Sequence, residues 1–92
     1  MTKNLELMPY AQAHITICGN IKKLVSYVTD VVLINTDTGW TQCTGTYSNT
    51  TRKHISAFCK EIGCGMDYQL MKKLYADEME YNIYTGEVRA IA

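Results

Sequence analysis

The spacing of apolar residues changes from a strand period to a helix period near residue 48. Before that point, AHITIC (13–18) alternates and is rich in β-branched residues, which is typical of a strand. KKLVSYV, VVLIN and WTQCTGTY (40–47) also have the composition of strands. After residue 48, four apolar residues recur at positions i, i+3, i+4 and i+7 of one helical face. They are Ile55, Phe58, Cys59 and Ile62.

Two helices follow from this second period. Ser48, Asn49 or Thr50 can cap the first helix, because each offers a side-chain oxygen to the unpaired amides of a first turn, and Gly63 favours its end. The second covers about residues 66–79, and Thr85-Gly86 predicts a terminal β-hairpin. The sequence therefore predicts a single α+β domain over residues 1–92, with a small antiparallel sheet of three to five strands packed against two α-helices.

Composition limits the classes of partner. The chain carries nine basic and nine acidic side chains, whereas binding to nucleic acid by counterion release needs a surplus of Lys and Arg. No stretch approaches the roughly 18–20 apolar residues that span a bilayer, so we expect no membrane association. The first ten residues lack an apolar run of secretory length. We therefore expect a cytoplasmic protein with reduced cysteines.

Recognisable catalytic or metal-binding motifs are absent from the sequence. Cys18, Cys43, Cys59 and Cys64 lack the tight C-x2-C spacing of zinc sites, so we interpret them as small buried apolar residues. There is no P-loop, G-x-S-x-G, G-x-G-x-x-G or H-E-x-x-H motif. We therefore expect no enzyme, no metal and no cofactor. His54 is interpreted as a structural histidine that packs its ring and bonds to a neighbouring strand.

Tyrosines and carboxylates are concentrated near the end of the chain. Tyr is a favoured anchor of protein interfaces, because it is apolar along its ring and can hydrogen-bond at its tip. An acidic and aromatic surface of this kind suits a basic site on a partner. The alternative is a half-buried helix end that packs on a hairpin. The candidate partner-binding residues are Tyr75, Asp77, Glu78, Glu80, Tyr81 and Tyr84.

A second candidate contact lies at the start of the first helix. The amides of a first helical turn attract anions, and two cationic side chains follow there. We therefore consider an anion or partner contact made by Thr50, Thr51, Arg52 and Lys53. The alternative is simple capping, in which a hydroxyl satisfies the unpaired amides and contributes roughly 1 kcal/mol.

Two short motifs resemble those of a family of small uncharacterised bacteriophage proteins. The first is S-Y-x-T, which corresponds here to Ser26, Tyr27 and Thr29. The second is Y-S-x-T-T-x-x-H-I/L leading into an amphipathic helix, and it corresponds to Tyr47, Ser48, Thr50, Thr51, His54, Ile55 and Phe58. The resemblance covers about residues 25–60, and implies an origin more than a chemistry. Residues 1–20 and the Tyr-rich tail lie outside it.

Three classes of function stay open. We favour a phage-type interaction protein that binds and inhibits a host macromolecule, either a host protein or a ribonucleoprotein such as a CRISPR-type defence complex, in the host cytoplasm. A homodimer is also compatible with the sequence, since the first strand and the terminal hairpin leave sheet edges to cover. The first alternative is a nucleic-acid-binding accessory protein that uses Lys22, Lys23, Arg52, Lys53 and Lys60. The second alternative is a small enzyme.

Overall fold

The computed structural model of this protein describes residues 1–45 and 48–91. In that part of the chain, five strands precede two helices and two strands follow them. The strands are β1 (Thr2–Asn4), β2 (Ala13–Cys18), β3 (Ile21–Ser26), β4 (Thr29–Asn35), β5 (Trp40–Cys43), β6 (Met79–Asn82) and β7 (Val88–Ala90). The helices are α1 (Asn49–Ile62) and α2 (Tyr68–Asp77).

The strands form one antiparallel sheet in the order β1-β2-β3-β4-β5-β6-β7. A row of paired residues crosses its centre, because Ile15 lies opposite Leu24, Leu24 opposite Val32, and Val32 opposite Cys43. All four side chains are buried, and they join α1 and α2 in a single core cluster. The helices therefore cover one face of the sheet, and the sheet ends at β1 on one side and at β7 on the other.

The α+β class is confirmed, but the prediction of three to five strands is wrong, since the sheet has seven. β1 was missed because three residues are too few to show an alternating pattern, and it is a strand only through its pairing with β2. The hairpin is present as β6 and β7, and it joins the same sheet through the pairing of Trp40 with Asn82. The predicted strand 40–47 ends at Cys43, and Thr46 and Tyr47 lie outside the described residues.

α1 begins and ends as its sequence indicates. The Ser48 hydroxyl accepts a hydrogen bond from the Thr51 amide at 3.1 Å, so Ser48 is the cap among the three candidates. Gly63 ends the helix with a φ of 71°, in the region that favours glycine. Ile55, Phe58 and Cys59 are buried on the predicted face. The start, the end and the buried face of α1 are therefore determined by residues within the helix and next to it.

α2 is shorter than the predicted 66–79. Asp67 caps its start by accepting a hydrogen bond from the Leu70 amide at 2.7 Å. The helix stops before Glu78, which adopts a left-handed φ of 53°. Met71 and Leu74 are buried, while the neighbouring Tyr75 is 45% exposed. The carboxyl end of α2 therefore projects an aromatic side chain toward solvent.

The β6–β7 hairpin is held to the β4–β5 turn by Asn82. Its amide nitrogen donates to the Thr38 carbonyl at 3.0 Å, and its amide oxygen accepts from the backbone of Tyr84 and Thr85. Gly39 has a φ of 87°, and a Cβ there would lie 2.7 Å from the Asn82 amide oxygen. Only glycine permits this close approach, which attaches the hairpin to the rest of the sheet.

Candidate functional site

Three polar side chains from distant parts of the sequence meet inside the molecule. Ser26 ends β3, and Thr51 and His54 lie one turn apart at the start of α1. The Ser26 hydroxyl is 2.9 Å from His54 Nδ1 and 3.1 Å from the Thr51 hydroxyl. All three residues are buried, with exposed fractions of 1–3%. We call them the buried polar cluster.

The buried polar cluster explains His54. Burial lowers the pKa of the His54 imidazole below its usual value of 6.5, because the charged form would lose its hydration. The Tyr27 ring packs against the imidazole, with 5.8 Å between ring centroids. The predicted hydrogen bond to a neighbouring strand is confirmed, with Ser26 as the partner. A neutral histidine enclosed in this way stabilises the junction of β3 and α1, and offers little access to a substrate.

The buried polar cluster also includes one of the residues at the start of α1 for which an anion contact was predicted. Thr51 faces the cluster, whereas Thr50, Arg52 and Lys53 are exposed. The Thr51 amide already donates to the Ser48 hydroxyl, and the Arg52 guanidinium lies 5.0 Å from the Tyr68 ring centroid. The four predicted residues therefore do not converge on one anion position.

The cations of α1 instead line a shallow groove beside the N-terminal segment. This groove has a volume of about 270 Å³. One wall of the groove is formed by the segment that comes directly after β1 in the chain. The Glu61 carboxylate accepts hydrogen bonds from the Glu6 and Leu7 amides, and so holds this segment against α1. The lining residues, which define the α1 groove, are Leu7, Met8, Arg52, Lys53, Ser56, Ala57 and Lys60.

The lysines of the nucleic-acid alternative are distributed over separate places. Lys22 and Lys23 are neighbours on β3, so they point to opposite faces of the sheet. Lys23 forms an ion pair with Asp30 at 3.2 Å. Only the α1 residues of that set, Arg52, Lys53 and Lys60, share the α1 groove. Lys53 and Lys60 are seven residues apart on one helix, and this spacing indicates from the sequence that they lie on the same helical face.

The predicted acidic and aromatic residues are only partly brought together. Tyr75, Asp77 and Glu78 are exposed around the carboxyl end of α2. Glu80 and Tyr81 are adjacent on β6 and so lie on opposite faces of the sheet.

The remaining members of that set have partners within the chain. Glu80 pairs with Arg89, whose guanidinium lies 3.7 Å from the Trp40 ring centroid. The Tyr81 hydroxyl donates to the Cys64 carbonyl at 2.8 Å. The Tyr84 hydroxyl donates to the Thr36 carbonyl.

A groove of about 560 Å³ opens beside the end of α2. Tyr75 and Glu78 line it, so two of the predicted partner-binding residues belong to a concave surface. Ile91 was missed by sequence reasoning, because no local pattern places the last strand beside α2. We define the α2-end surface as this groove with the adjacent Asp77. The groove is lined by Cys43, Leu74, Tyr75, Ala76, Glu78 and Ile91.

The cysteines divide into two groups. Cys43 and Cys59 are buried, as predicted, and burial raises the pKa of the Cys59 thiol to about 12. Cys18 and Cys64 are exposed, so the interpretation of all four as buried is wrong. Cys18 is the last residue of β2 and Cys64 lies in the turn between α1 and α2, so both are at the ends of elements rather than in the core.

Metal binding and membrane crossing find no support in the described residues. No group of three or more His, Cys, Asp or Glu side chains there is arranged to hold a metal ion. None of the helices in residues 1–45 and 48–91 combines the length and the hydrophobicity needed to cross a membrane.

Comparison with known proteins places the chain in a family. A model of a family of unknown function (DUF8033) matches residues 2–77. The chain belongs to this family. The DUF8033 match includes residues 2–20 and ends with the last residue of α2, before β6 and β7. Searches of curated proteins and of solved structures found no match.

Proposed function

We propose that this protein is an interaction protein that binds a host macromolecule and inhibits it, using the α2-end surface as its contact. The observation that carries the proposal is the exposed Tyr75 on an open groove that Glu78 also lines, with the exposed Asp77 next to Glu78 in the chain. An aromatic anchor next to a concave apolar surface is the usual core of a protein interface. The carboxylates of Asp77 and Glu78 then favour a basic partner and speed its encounter.

The resemblance to small bacteriophage proteins suggests the kind of target. A phage protein that inhibits by binding acts in the cytoplasm of the host, on a host protein or a ribonucleoprotein complex. Bacterial defence complexes of the CRISPR type are the targets we propose to test first. Their nucleic-acid-binding surfaces are basic, so their charge is opposite to that of the acidic α2-end surface.

The test is affinity capture from bacterial lysate, with and without nuclease, read by mass spectrometry. We expect the protein to recover one host protein or complex in a stoichiometric amount, and the recovery to resist nuclease. The double variant Asp77→Lys, Glu78→Lys should lose that recovery, because the sign of the surface is reversed. Glu80 is left unchanged, since reversing it would break its ion pair with Arg89.

A matched control separates the surface from charge in general. Asp37→Lys makes a charge change of the same sign at an exposed position in the β4–β5 turn. It should recover the target as well as the unchanged protein does. If the Asp77→Lys, Glu78→Lys variant recovers the target equally well, the α2-end surface is not the contact.

A second candidate function is nucleic-acid binding through the α1 groove. The observation that favours it is the convergence of Arg52, Lys53 and Lys60 on one exposed groove. A mobility shift with a short RNA or DNA at low salt tests it, because such binding weakens steeply as salt rises. Loss of the shift in Lys53→Glu, Lys60→Glu supports this function, and no shift at low salt excludes it.

A further inference from the structure

We infer that a second copy of this chain docks head-to-tail on the first, with the α2-end surface of one copy seated in the α1 groove of the other. The inference rests on the α2-end surface of the proposed function. It adds that a second copy of the chain binds this surface.

The two surfaces are complementary in charge and in apolar content. The α1 groove combines three cations with the apolar side chains of Leu7 and Met8. The α2-end surface combines the Glu78 carboxylate, which lines the groove, and the neighbouring exposed Asp77 with an exposed aromatic ring. The two surfaces are therefore opposite in charge, and both contribute apolar side chains to the contact.

The arrangement of cations in the α1 groove favours the binding of an acidic partner. Lys53 and Lys60 both line the groove, and they are separated by two helical turns, about 10.5 Å along the axis. Arg52 is held over the Tyr68 ring, which lowers the entropy lost when its guanidinium is ordered. On the opposite surface, the left-handed Glu78 ends α2, so its carboxylate stands at the tip of the helix.

The location of the two surfaces also favours head-to-tail docking. Leu7 and Met8 follow β1, and Ile91 follows β7, so each surface adjoins one terminal strand of the sheet. β1 and β7 have one neighbouring strand each in the described structure. Unpaired sheet edges favour association with another chain.

Overall charge does not oppose the association. Nine basic and nine acidic side chains give a formal net charge of zero, so two copies experience no long-range repulsion. The contact joins different surfaces, which makes it a heterologous interface able to add further copies. Self-association occupies the α2-end surface, so it competes with the binding of a host partner.

The test is sedimentation velocity of the full chain over a concentration series at low salt. The unchanged protein should show a mass that rises with concentration, and added salt should reduce the rise because it screens the exposed charges. Asp77→Lys, Glu78→Lys and Lys53→Glu, Lys60→Glu should each raise the dissociation constant at least tenfold. An equimolar mixture of the two variants should associate again, since each then offers the charge that the other has lost.

Two controls separate a loss of this contact from a general effect of charge and from unfolding. Asp37→Lys should associate like the unchanged protein, and circular dichroism should show that every variant is folded. A monomer at all concentrations overturns the inference, as does association that both double variants retain. Failure here is distinguishable from failure of the proposed function, because Lys53→Glu, Lys60→Glu keeps the α2-end surface and should still capture the host target.

Discussion

The buried polar cluster and the α2-end surface place polar side chains in opposite environments. Ser26, Thr51 and His54 are removed from water, so each of them must bond to another member of the cluster. Tyr75, Asp77 and Glu78 remain hydrated, and their positions are not restricted by internal hydrogen bonds of this kind. The first region therefore contributes to folding, and the second is free to contribute to recognition.

The family match covers both regions. It includes the whole buried polar cluster and also Tyr75 and Asp77, and it ends with α2, just before Glu78. The motif that carries the phage resemblance is narrower, and it supplies the cluster through Ser26, Thr51 and His54. Tyr75, Asp77 and Glu78 lie outside that motif. The following predictions test this contrast between a structural interior and a recognition surface.

The largest expected effect is the loss of His54. His54→Ala removes a buried ring and one of the two partners of the Ser26 hydroxyl, which should lower the free energy of unfolding by about 3 kcal/mol. Urea unfolding measures the change. Lys53→Ala, on the exposed face of the same helix, should change it by less than about 0.5 kcal/mol. Equal effects of the two variants would contradict a structural role for His54.

Acid should weaken the same region. The unfolded chain protonates His54 near pH 6.5, whereas burial lowers the pKa in the folded protein, so the unfolded state binds more protons below that pH. Stability is then full above pH 6.5 and falls as the pH drops toward and past the folded pKa, by at most about 1.4 kcal/mol per pH unit. Unfolding of the native protein and of His54→Asn, compared from pH 7.5 to 5, isolates this contribution. Parallel curves would disprove it.

A smaller and opposite effect is expected at the end of α2. Glu78 adopts a φ of 53°, a conformation that glycine reaches at much lower cost. Glu78→Gly should therefore raise the free energy of unfolding by about 1 kcal/mol. Asp77→Gly, inside the helix, should lower it by a similar amount. Destabilisation by Glu78→Gly would show that the carboxylate contributes more to folding than the strain costs.

The smallest effect on folding should come from the recognition surface itself. Asp77→Lys, Glu78→Lys should change the free energy of unfolding by no more than about 0.5 kcal/mol, because both side chains are exposed and a cation suits a helix carboxyl end. Thermal and urea unfolding measure it, beside the binding assays above. A loss of more than 2 kcal/mol would mean that this surface is part of the folding unit, and would weaken the contrast with the interior.

Local features of the fold were predictable because their causes are local. The Ser48 cap, the buried face around Phe58 and the end at Gly63 depend on residues within a few turns of one another. The strand 13–18 and the terminal hairpin follow from alternation and turn residues in the same way. β1 was not predictable, because only its pairing with β2 makes it a strand.

The candidate surfaces were predictable only in part. Tyr75 and Glu78 were recognised from composition, but Ile91 joins them through the position of the last strand. Glu80 and Tyr81 were grouped with them in sequence, yet alternation along β6 places them on opposite faces of the sheet. The α1 groove depends on Leu7 and Met8, which the Glu61 carboxylate holds beside the helix from more than fifty residues away in sequence.

The sequence by itself determined where α1 begins and ends, which of its faces is buried, and that strands precede helices. These properties depend on backbone preferences and on periodicity, which act over a few residues. Only the tertiary structure decided that Ser26 meets Thr51 and His54, and that seven strands of the described residues share one sheet. It also decided that the cations of α1 line one groove while Tyr75 and Glu78 line another. Contacts between distant residues depend on how the whole chain packs, and no short segment records them.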